Sequence, residues 1–410
     1  MLALRIFREV IREDGLTVID PDGRRHVIGH PSNPSLAIRL GNDRRLGLRL
    51  ACTPSLAFGE AYMDGTITVE GGTLYDVLDV LTRNIRLGPM PGFLDAVRRR
   101  LPGLLQWLEQ SNPLARARSN VAHHYDLPGR LYELFLDADR QYSCAYFPRP
   151  DMTLEEAQDA KKRHIAAKLL LTPGQKILDI GSGWGGLGLY LAREAGVEVT
   201  GLTLSTEQHA IAEDRARRAG LSNQVRFLLR DYRQEQGRYD RIVSVGMFEH
   251  VGTPHYGEFF RTAARLLKDD GVMLLHSIGR MDGPGTSNPW LRKYIFPGGY
   301  TPALSEVLPA IEQAGLWVTD IEILRLHYAE TLRAWRDRFM ANRDEAKAML
   351  GERFCRMWEF YLAGSEVAFR HMGQMVFQIQ LAKRVDAVPL TRDYIGKWES
   401  RRRPIASLAS

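Results

Sequence analysis

The spacing of apolar and polar positions divides this chain into two unlike parts. From about residue 121 onward, short apolar runs alternate with segments of helical periodicity, such as the stretch from Thr153 to Leu171, where Ile165, Leu169 and Leu170 repeat. The predicted strands are KILD (176–179), VEVTGLTLS, VRFLLRDY, YDRIVSVG and GVMLLHSIG. Strands that alternate with helices favour a doubly wound, mostly parallel sheet, so we expect an α/β fold.

Further elements complete this α/β part. A helix from Tyr256 to Leu267 precedes the fifth strand, and a Gly/Pro-rich insertion, MDGPGTSNPWLRKYIFPGGY, follows it as the wall or lid of an acceptor site. The remaining predictions are helices from Pro302, a strand near 318–326, long helices over 328–370 and a last strand near 375–381.

Residues 1–90 have the pattern of a small α+β domain. Alternating runs such as LTVIDPDG, LAIRLGN and TITVEGG are bounded by turn residues, and the helical pattern TLYDVLDVLTRNI closes the unit. These residues contain no constellation of titratable groups, which indicates a supporting or docking role. We expect a basic amphipathic linker over 91–120, the α/β domain over 121–390 and a basic tail over 391–410.

The composition is that of a globular protein. The chain has 410 residues, of which 44% are hydrophobic and 25% charged, and no run approaches the roughly 18 apolar residues of a membrane span. With no signal-peptide pattern at the start, we expect a cytoplasmic protein. Its three cysteines cannot form a disulfide framework.

A net charge of +6 indicates a surface that meets anions. No nucleic-acid-binding module is recognisable, so we expect no nucleic-acid partner. In LDAVRRRLPGLLQWLEQSNPLARAR (94–118) an arginine run precedes Leu101, Leu104 and Trp107, a pattern suited to an anionic membrane surface. A solvated helix packed on its own protein would show the same pattern, and both interpretations stay open.

The segment QKILDIGSGWGG (175–186) predicts a cofactor site. A buried strand ends at Asp179 and leads through Gly181 and Gly183 into a helix, and such a glycine turn allows positive φ and a close approach of a ligand. Nicotinamide, flavin and S-adenosylmethionine sites all use this turn. A carboxylate beside it would repel a pyrophosphate but attract the ammonium and sulfonium of S-adenosylmethionine, so Asp179 favours that cofactor.

Polar residues also follow the other predicted strands. Because the carboxyl ends of parallel strands share one edge of the sheet, these residues are expected to meet around the cofactor. Thr203 and Gln208 are predicted on the ribose side, and Asp231 and Tyr232 at the adenine. The residues expected to converge on the reacting centre are Glu249, His250 and His276.

With these residues in view, the chain resembles the cyclopropane-fatty-acyl-phospholipid synthase family, which includes the mycolic acid cyclopropane synthases. The resemblance covers about 123–383 and rests on an ordered set of motifs. They are HHYDLPGRLYELFLD, YSCAYF, LDIGSGWGG, GLTLSTEQ, FEHVG, HSIG, YIFPGG and HYAETLRAW. The implied fold is a Rossmann-like class I methyltransferase domain with a mostly parallel seven-stranded sheet. Residues 1–90 resemble the additional N-terminal domain of the phospholipid-modifying members.

The resemblance implies that the double bond of an acyl chain in a membrane phospholipid attacks the methyl group of S-adenosylmethionine. The resulting carbocation then loses a proton to bound bicarbonate as a cyclopropane ring closes. The bicarbonate ligands carried over from the family are Cys144, Glu249, His276, Ile278 and Tyr328. Tyr142 and Ser143 would contact the methionine end of the cofactor, and Tyr142, Tyr146 or Phe147 could stabilise the cation. Peripheral membrane association and a homodimer are further implications.

Several alternatives remain open at this point. A different quenching of the same cation would give a methyl- or methylene-branched chain, and a lipid-binding protein without catalysis would keep the same fold. Many relatives have a cysteine where this chain has Ser365, so no thiol nucleophile is expected there. His123, His124 and Asp126 could suggest a metal site, but adjacent histidines rarely face one ion, so no metal is expected.

Overall fold

The computed structural model describes residues 2–86 and 127–400. The predicted linker, the HHYD motif and half of the predicted tail (401–410) therefore lie outside the described residues. Residues 2–86 form a four-stranded sheet, in the order β2-β1-β3-β4, and four helices. The elements are α1 (Leu2–Val10), β1 (Gly15–Ile19), β2 (Arg25–Gly29), β3 (Ala37–Leu40), α2 (Leu46–Cys52), α3 (Pro54–Met63), β4 (Ile67–Glu70) and α4 (Leu74–Arg86).

Residues 127–400 form a seven-stranded sheet in the order β10-β11-β9-β8-β5-β6-β7. The strands are β5 (Lys176–Ile180), β6 (Glu198–Thr203), β7 (Val225–Leu229), β8 (Tyr239–Val245), β9 (Leu267–Arg280), β10 (Trp317–Ile323) and β11 (Gln374–Ala382). Strand β11 is antiparallel to both of its neighbours, and the pairs from β9 through β7 are parallel. The predicted mostly parallel seven-stranded sheet is thus confirmed.

The helices of this part pack on the sheet or close its edges. They are α5 (Gly129–Glu133), α6 (Leu154–Lys168), α7 (Gly186–Ala195), α8 (Thr206–Arg218), α9 (Tyr256–Leu266), α10 (Pro289–Tyr294), α11 (Leu304–Gln313), α12 (His327–Ala341), α13 (Arg343–Leu350), α14 (Glu352–His371) and α15 (Asp393–Glu399). The stretch predicted as long helices over 328–370 is three helices, because the chain turns at Asn342 and at Gly351, whose φ is +82°. No described helix has the length and apolar character needed to cross a bilayer.

The order of the strands sets the position of a ligand site. From β5 the chain proceeds outward through β6 to β7, then returns to the other side of β5 as β8. Such a reversal opens a crevice at the carboxyl ends of β5 and β8, and ligands of open α/β sheets bind in this crevice. The glycine turn leaves β5 at this point.

Residues 2–86 pack on the long helix α14 of the second part through their helices α3 and α4. Ala363 and Val367 of α14 are fully buried in the same apolar cluster as the core of residues 2–86. Polar contacts border this cluster: the Tyr62 hydroxyl donates to Glu359 of α14 over 2.8 Å. A second connection runs through α10, where Lys293 and the Tyr294 hydroxyl donate to Glu60 of α3.

Candidate active site

The glycine turn forms one wall of a cavity. Gly181 and Gly183 have φ values of +86° and +55°, which side chains other than glycine rarely adopt. A Cβ on Gly181 would lie 2.7 Å from the Cβ of Met247, whereas a Cβ on Gly183 would project into open space. Gly183 therefore leaves its backbone open to a ligand, as the sequence analysis predicts for this turn.

The cavity brings together residues from six separate segments. Its lining includes all nine predicted cofactor residues: Tyr142, Ser143, Asp179, Gly181, Gly183, Thr203, Gln208, Asp231 and Tyr232. Lys161 of α6 also lines it, although sequence reasoning did not select this residue. The nine residues share one cavity, and their contacts with a cofactor stay predictions.

One end of the cavity carries two buried charged groups of opposite sign. Asp179 is buried at the end of β5, and its Oδ2 has no hydrogen-bond partner within the described part of the chain. Burial raises the pKa of Asp179 to about 7, against the attraction of Lys161. The fully buried Lys161 donates to Gln141 Oε1 over 2.7 Å and to Ser143 Oγ over 2.8 Å. Burial lowers the pKa of Lys161 to about 8.

Other residues of the cavity lie at or after the ends of β6 and β7. Those from β6 onward to Gln208 are uncharged, and the carboxylate after β7 forms an ion pair. The Thr203 hydroxyl donates to Gln208 Oε1 over 2.9 Å. Asp231 accepts two hydrogen bonds from the Arg233 guanidinium, both of 2.8 Å. The predicted adenine acceptor is thus already paired with a neighbouring arginine, which the sequence analysis did not anticipate. The Tyr232 ring packs edge-on against Phe259 at 5.3 Å.

A second group of residues lies beside the cavity, around the end of β9. Glu249 follows β8 in a short 3-10 helix, and its Oε1 accepts the Ile278 N–H over 2.6 Å. Its other oxygen, Oε2, is buried and has no partner among residues 2–86 and 127–400. Burial raises the pKa of Glu249 to about 7, and the Ile278 N–H opposes this shift. Ile278 therefore orients Glu249, so that one carboxylate oxygen remains in need of a donor.

His276 lies two residues before Ile278 on β9, and therefore on the same face of the strand. It is buried, its Nδ1 lies 3.1 Å from Gln378 Nε2, and burial lowers its pKa to about 3. The imidazole is thus neutral at physiological pH. The Gly246 N–H, on the cavity wall, donates to the His276 carbonyl over 2.9 Å, so this group adjoins the cavity directly.

Cys144 and Tyr328, the remaining predicted ligands, are buried in an apolar cluster against which Ile278 packs. The Cys144 thiol donates to the Ala145 carbonyl over 3.2 Å, and burial raises the pKa of the thiol. A thiol held protonated in this way is a poor nucleophile. Cys144 is therefore suited to line an apolar pocket rather than to act as an attacking group.

Aromatic side chains connect this group to the cavity. The Tyr142 and Tyr361 hydroxyls are hydrogen-bonded over 2.9 Å, and Trp335 lies 5.2 Å from the Tyr142 ring and 5.8 Å from the Tyr328 ring. We call Tyr142, Tyr328, Trp335 and Tyr361 the aromatic wall. Sequence reasoning missed Trp335 and Tyr361. It named Tyr146, which instead stacks on His164 at 4.3 Å, outside this wall.

Comparison with known proteins gives a consistent family. The family model described as mycolic acid cyclopropane synthetase matches residues 113–379. A probable fatty acid methyltransferase of Pseudomonas putida is 41% identical over 364 residues, covering 85% of this chain and 86% of the relative. The cyclopropane-fatty-acyl-phospholipid synthase of Escherichia coli K12 is 39% identical over 332 residues, covering 81% of this chain and 84% of the relative.

A solved structure extends the comparison to the fold. The mycolic acid cyclopropane synthase CmaA1 in complex with SAH and CTAB is 38% identical, with a TM-score of 0.62 over 64% of this chain and 97% of that chain. The predicted class I methyltransferase fold is confirmed. This chain therefore belongs to the mycolic acid cyclopropane synthetase family and is an S-adenosylmethionine-dependent methyltransferase that transfers a one-carbon group.

Proposed function

We propose that this enzyme transfers a methylene group from S-adenosylmethionine to the cis double bond of an unsaturated acyl chain in a membrane phospholipid, with a bound bicarbonate as the base. One observation carries the proposal: Glu249, whose buried Oε2 has no partner in the described part of the chain, is held by the N–H of Ile278, and Ile278 packs against the apolar cluster of the aromatic wall. When bound, S-adenosylmethionine supplies an electrophilic methyl group, and bicarbonate supplies the base that removes a proton as the ring closes.

The charges at the turn support the placement of the cofactor. Asp179 Oδ2 can accept from the ammonium of the amino-acid end, and Lys161 offers a positive charge to its carboxylate. Ser143 Oγ accepts from Lys161, so its hydroxyl hydrogen is available to the same carboxylate. Thr203 and Gln208 can hydrogen-bond the ribose and adenine side, with Tyr232 against the adenine.

The residues around Glu249 suit a bicarbonate ion. Bicarbonate has one O–H donor and several acceptor oxygens. Glu249 Oε2 needs a donor, and the neutral imidazole of His276 and the hydroxyl of Tyr328 can donate to the acceptor oxygens. Ile278 holds Glu249 in place, and Cys144 closes the apolar side. A site of this kind excludes water, which would otherwise trap a carbocation.

The aromatic wall supplies what a cation on an acyl chain requires. The faces of tyrosine and tryptophan rings carry negative potential and attract cations without acting as nucleophiles. Tyr142 lies both on the cavity and in the wall, so it stands at the boundary between cofactor and acceptor. We assign to Tyr142, Trp335 and Tyr361 the role for which the sequence analysis names Tyr142, Tyr146 or Phe147.

A second product remains a candidate. The relative from Pseudomonas putida is described as a probable fatty acid methyltransferase, and it is the more similar of the two curated relatives compared above. Loss of a different proton from the same cation would give a methyl- or methylene-branched acyl chain. The same residues can hold the cation in both cases, and only the carbon that loses the proton differs.

The product assay decides between these functions. Purified enzyme is incubated with S-adenosylmethionine and vesicles of cis-monounsaturated phosphatidylglycerol, and the recovered fatty acids are analysed by mass spectrometry and proton NMR. We expect one added CH2, loss of vinylic protons and new high-field ring protons. One added CH2 with retained vinylic protons would establish the branching reaction, and no addition would contradict both.

The affinity for S-adenosylmethionine is expected to rise with pH up to about 7. Because burial raises the pKa of Asp179 to about 7, the carboxyl is protonated at lower pH and must lose that proton to bind an ammonium. The association constant should fall about tenfold per pH unit below 7. Titration calorimetry from pH 5 to 8 measures this dependence of the affinity on pH. His250, which also lines the cavity, does not titrate in that range, because burial lowers its pKa to about 4. Asp179→Asn should bind weakly and without this slope; a flat profile in the native enzyme would refute the assignment.

We also propose that the enzyme is a cytoplasmic, peripherally membrane-associated protein, with residues 1–90 and the basic segment 91–120 as its docking part and a homodimer as its assembly. The net charge of +6 supports attraction to an anionic surface. Co-sedimentation with anionic vesicles at low salt, compared with zwitterionic vesicles, tests the docking. Equal recovery from both would count against it.

A further inference from the structure

A continuous hydrogen-bonded chain leads from His276 into the interior behind it. His276 on β9 and Gln378 on β11 are directly opposite in the antiparallel pair, with 3.1 Å between His276 Nδ1 and Gln378 Nε2. Lys168, at the end of α6, donates to Gln378 Oε1 over 2.8 Å. All three side chains are almost completely buried. These hydrogen bonds thus connect Nδ1 of the imidazole to the ammonium of Lys168 through Gln378, away from solvent.

The chemistry of these groups determines which atom carries each hydrogen. An ammonium can only donate, so the atom of Gln378 that faces Lys168 must be the carbonyl oxygen. The amide nitrogen of Gln378 then faces His276, and it too can only donate. His276 Nδ1 must therefore accept and carries no hydrogen. Since burial keeps the imidazole neutral, its single hydrogen lies on Nε2.

Lys168 is itself held from the opposite side by acidic groups. It forms an ion pair with Glu322, and Asp320 lies 3.7 Å away, so two carboxylates favour its charged form. Glu322 also pairs with His164 over 2.7 Å, and His164 with Glu399 of α15 over 2.6 Å. The position of the ammonium is thus determined by contacts that do not involve the active site.

We propose that Lys168 and Gln378 are positioning residues that hold His276 in the Nε2–H tautomer, so that its imidazole acts as a hydrogen-bond donor to the bound anion. The catalytic meaning rests on the proposed function, in which Glu249 accepts the hydrogen of bicarbonate and His276 donates to one of its oxygens. In the opposite tautomer His276 would present a lone pair to an anion. Neither Lys168 nor Gln378 lines the cofactor cavity, so their effect is expected through His276 alone.

The first test is a spectrum of the unaltered enzyme. Two-dimensional 15N NMR of protein labelled in its histidine rings distinguishes the two tautomers, and His276→Ala identifies the signals. We expect His276 to show an unprotonated Nδ1 and a protonated Nε2 between pH 6 and 8. A hydrogen on Nδ1 would overturn the proposal, whatever the enzyme's activity.

The second test reverses the polarity of the amide. In Gln378→Glu the carboxylate can only accept, so Nδ1 must become the donor and the hydrogen must leave Nε2 or the ring must become charged. We expect kcat to fall by about 10²- to 10³-fold, the loss typical of a misplaced donor to an anionic centre, with little change in S-adenosylmethionine affinity. The NMR pattern of His276 should change in parallel.

Gln380→Glu is the matched control. Gln380 is buried two residues further along β11, and its side-chain Nε2 donates to the backbone carbonyl of Lys168 over 2.6 Å rather than to His276. The Gln380→Glu variant should retain the native tautomer of His276 and the native turnover. A changed tautomer with normal turnover in Gln378→Glu would overturn the positioning role. If the native enzyme shows the expected tautomer but forms no product from lipid, the proposed function fails while the tautomer assignment stands.

Discussion

Replacing Glu249 with Gln is expected to lower kcat by about 10²- to 10⁴-fold, the usual contribution of a positioned proton acceptor. Glutamine keeps the size of the side chain and can still accept the Ile278 N–H through its carbonyl oxygen. It replaces the unpartnered Oε2 with an amide that can only donate. The bicarbonate hydrogen would then have no acceptor, although the shape of the site would be preserved.

The affinity for S-adenosylmethionine should change little in Glu249→Gln, because Glu249 adjoins the cofactor cavity without lining it. Turnover on cis-monounsaturated phospholipid vesicles and calorimetric binding of the cofactor measure the two effects separately. Since burial raises the pKa of Glu249 to about 7, kcat of the native enzyme should rise with pH through about 7 as the carboxylate forms. This dependence should be absent from the residual activity of the variant.

Glu359→Gln provides the control for removing a buried carboxylate. Glu359 is buried, burial raises its pKa, and it accepts from the Tyr62 hydroxyl of the N-terminal part over 2.8 Å. Its substitution should leave turnover near the native value. Native kcat in Glu249→Gln, or an equal loss in both variants, would rule out the proposed role of Glu249.

The cofactor side of this site could be predicted because it depends on local patterns. Each parallel strand ends at the same edge of the sheet, so polar residues directly after β5, β6 and β7 must lie close together. Asp179, Thr203 and Tyr232 were located by this rule alone, and all three line one cavity. The glycine turn was equally local, because φ values above zero require glycine at Gly181 and Gly183.

The residues that support the site from behind could not be predicted, because each has the local pattern of an ordinary helix or strand. Lys161 belongs to LEEAQDAKKRHIAAK, where its charge looks like part of a solvated helical face. Trp335 and Tyr361 have the spacing of ordinary core residues in α12 and α14. Gln378 is on the antiparallel strand β11, almost 200 positions after the glycine turn. Only the tertiary fold shows which charged groups and rings these residues meet.

The N-terminal part shows a similar limit. Alternation and helical spacing predict β1, β3, β4 and α4, but they do not predict β2 or the helices α1, α2 and α3. In α3 most residues are buried, including Phe58, Ala61 and Tyr62, so apolar positions surround the helix and give no clear amphipathic period. Its burial depends on contact with α14, more than 290 residues later, as the bond between Tyr62 and Glu359 illustrates.

Ala363→Arg is expected to destabilise the whole enzyme by about 3–5 kcal/mol, the cost of a buried charge without a partner. Ala363 is fully buried where α14 packs on the apolar cluster of residues 2–86, beside Val367. An arginine there would have to separate the two packed surfaces or bury its guanidinium among apolar side chains. Thermal unfolding should show a lower midpoint, and soluble yield should fall.

Ala368→Arg is the matched control, since Ala368 lies on the same helix but is only partly buried. Its arginine can reach solvent, so the unfolding midpoint should stay near that of the native enzyme. If both variants unfold at the native temperature, residues 2–86 do not pack on α14 in solution. A separate low-temperature transition in Ala363→Arg, with cofactor binding retained, would contradict the loss of stability in the whole enzyme. It would mean that the N-terminal part detaches while the seven-stranded domain remains folded.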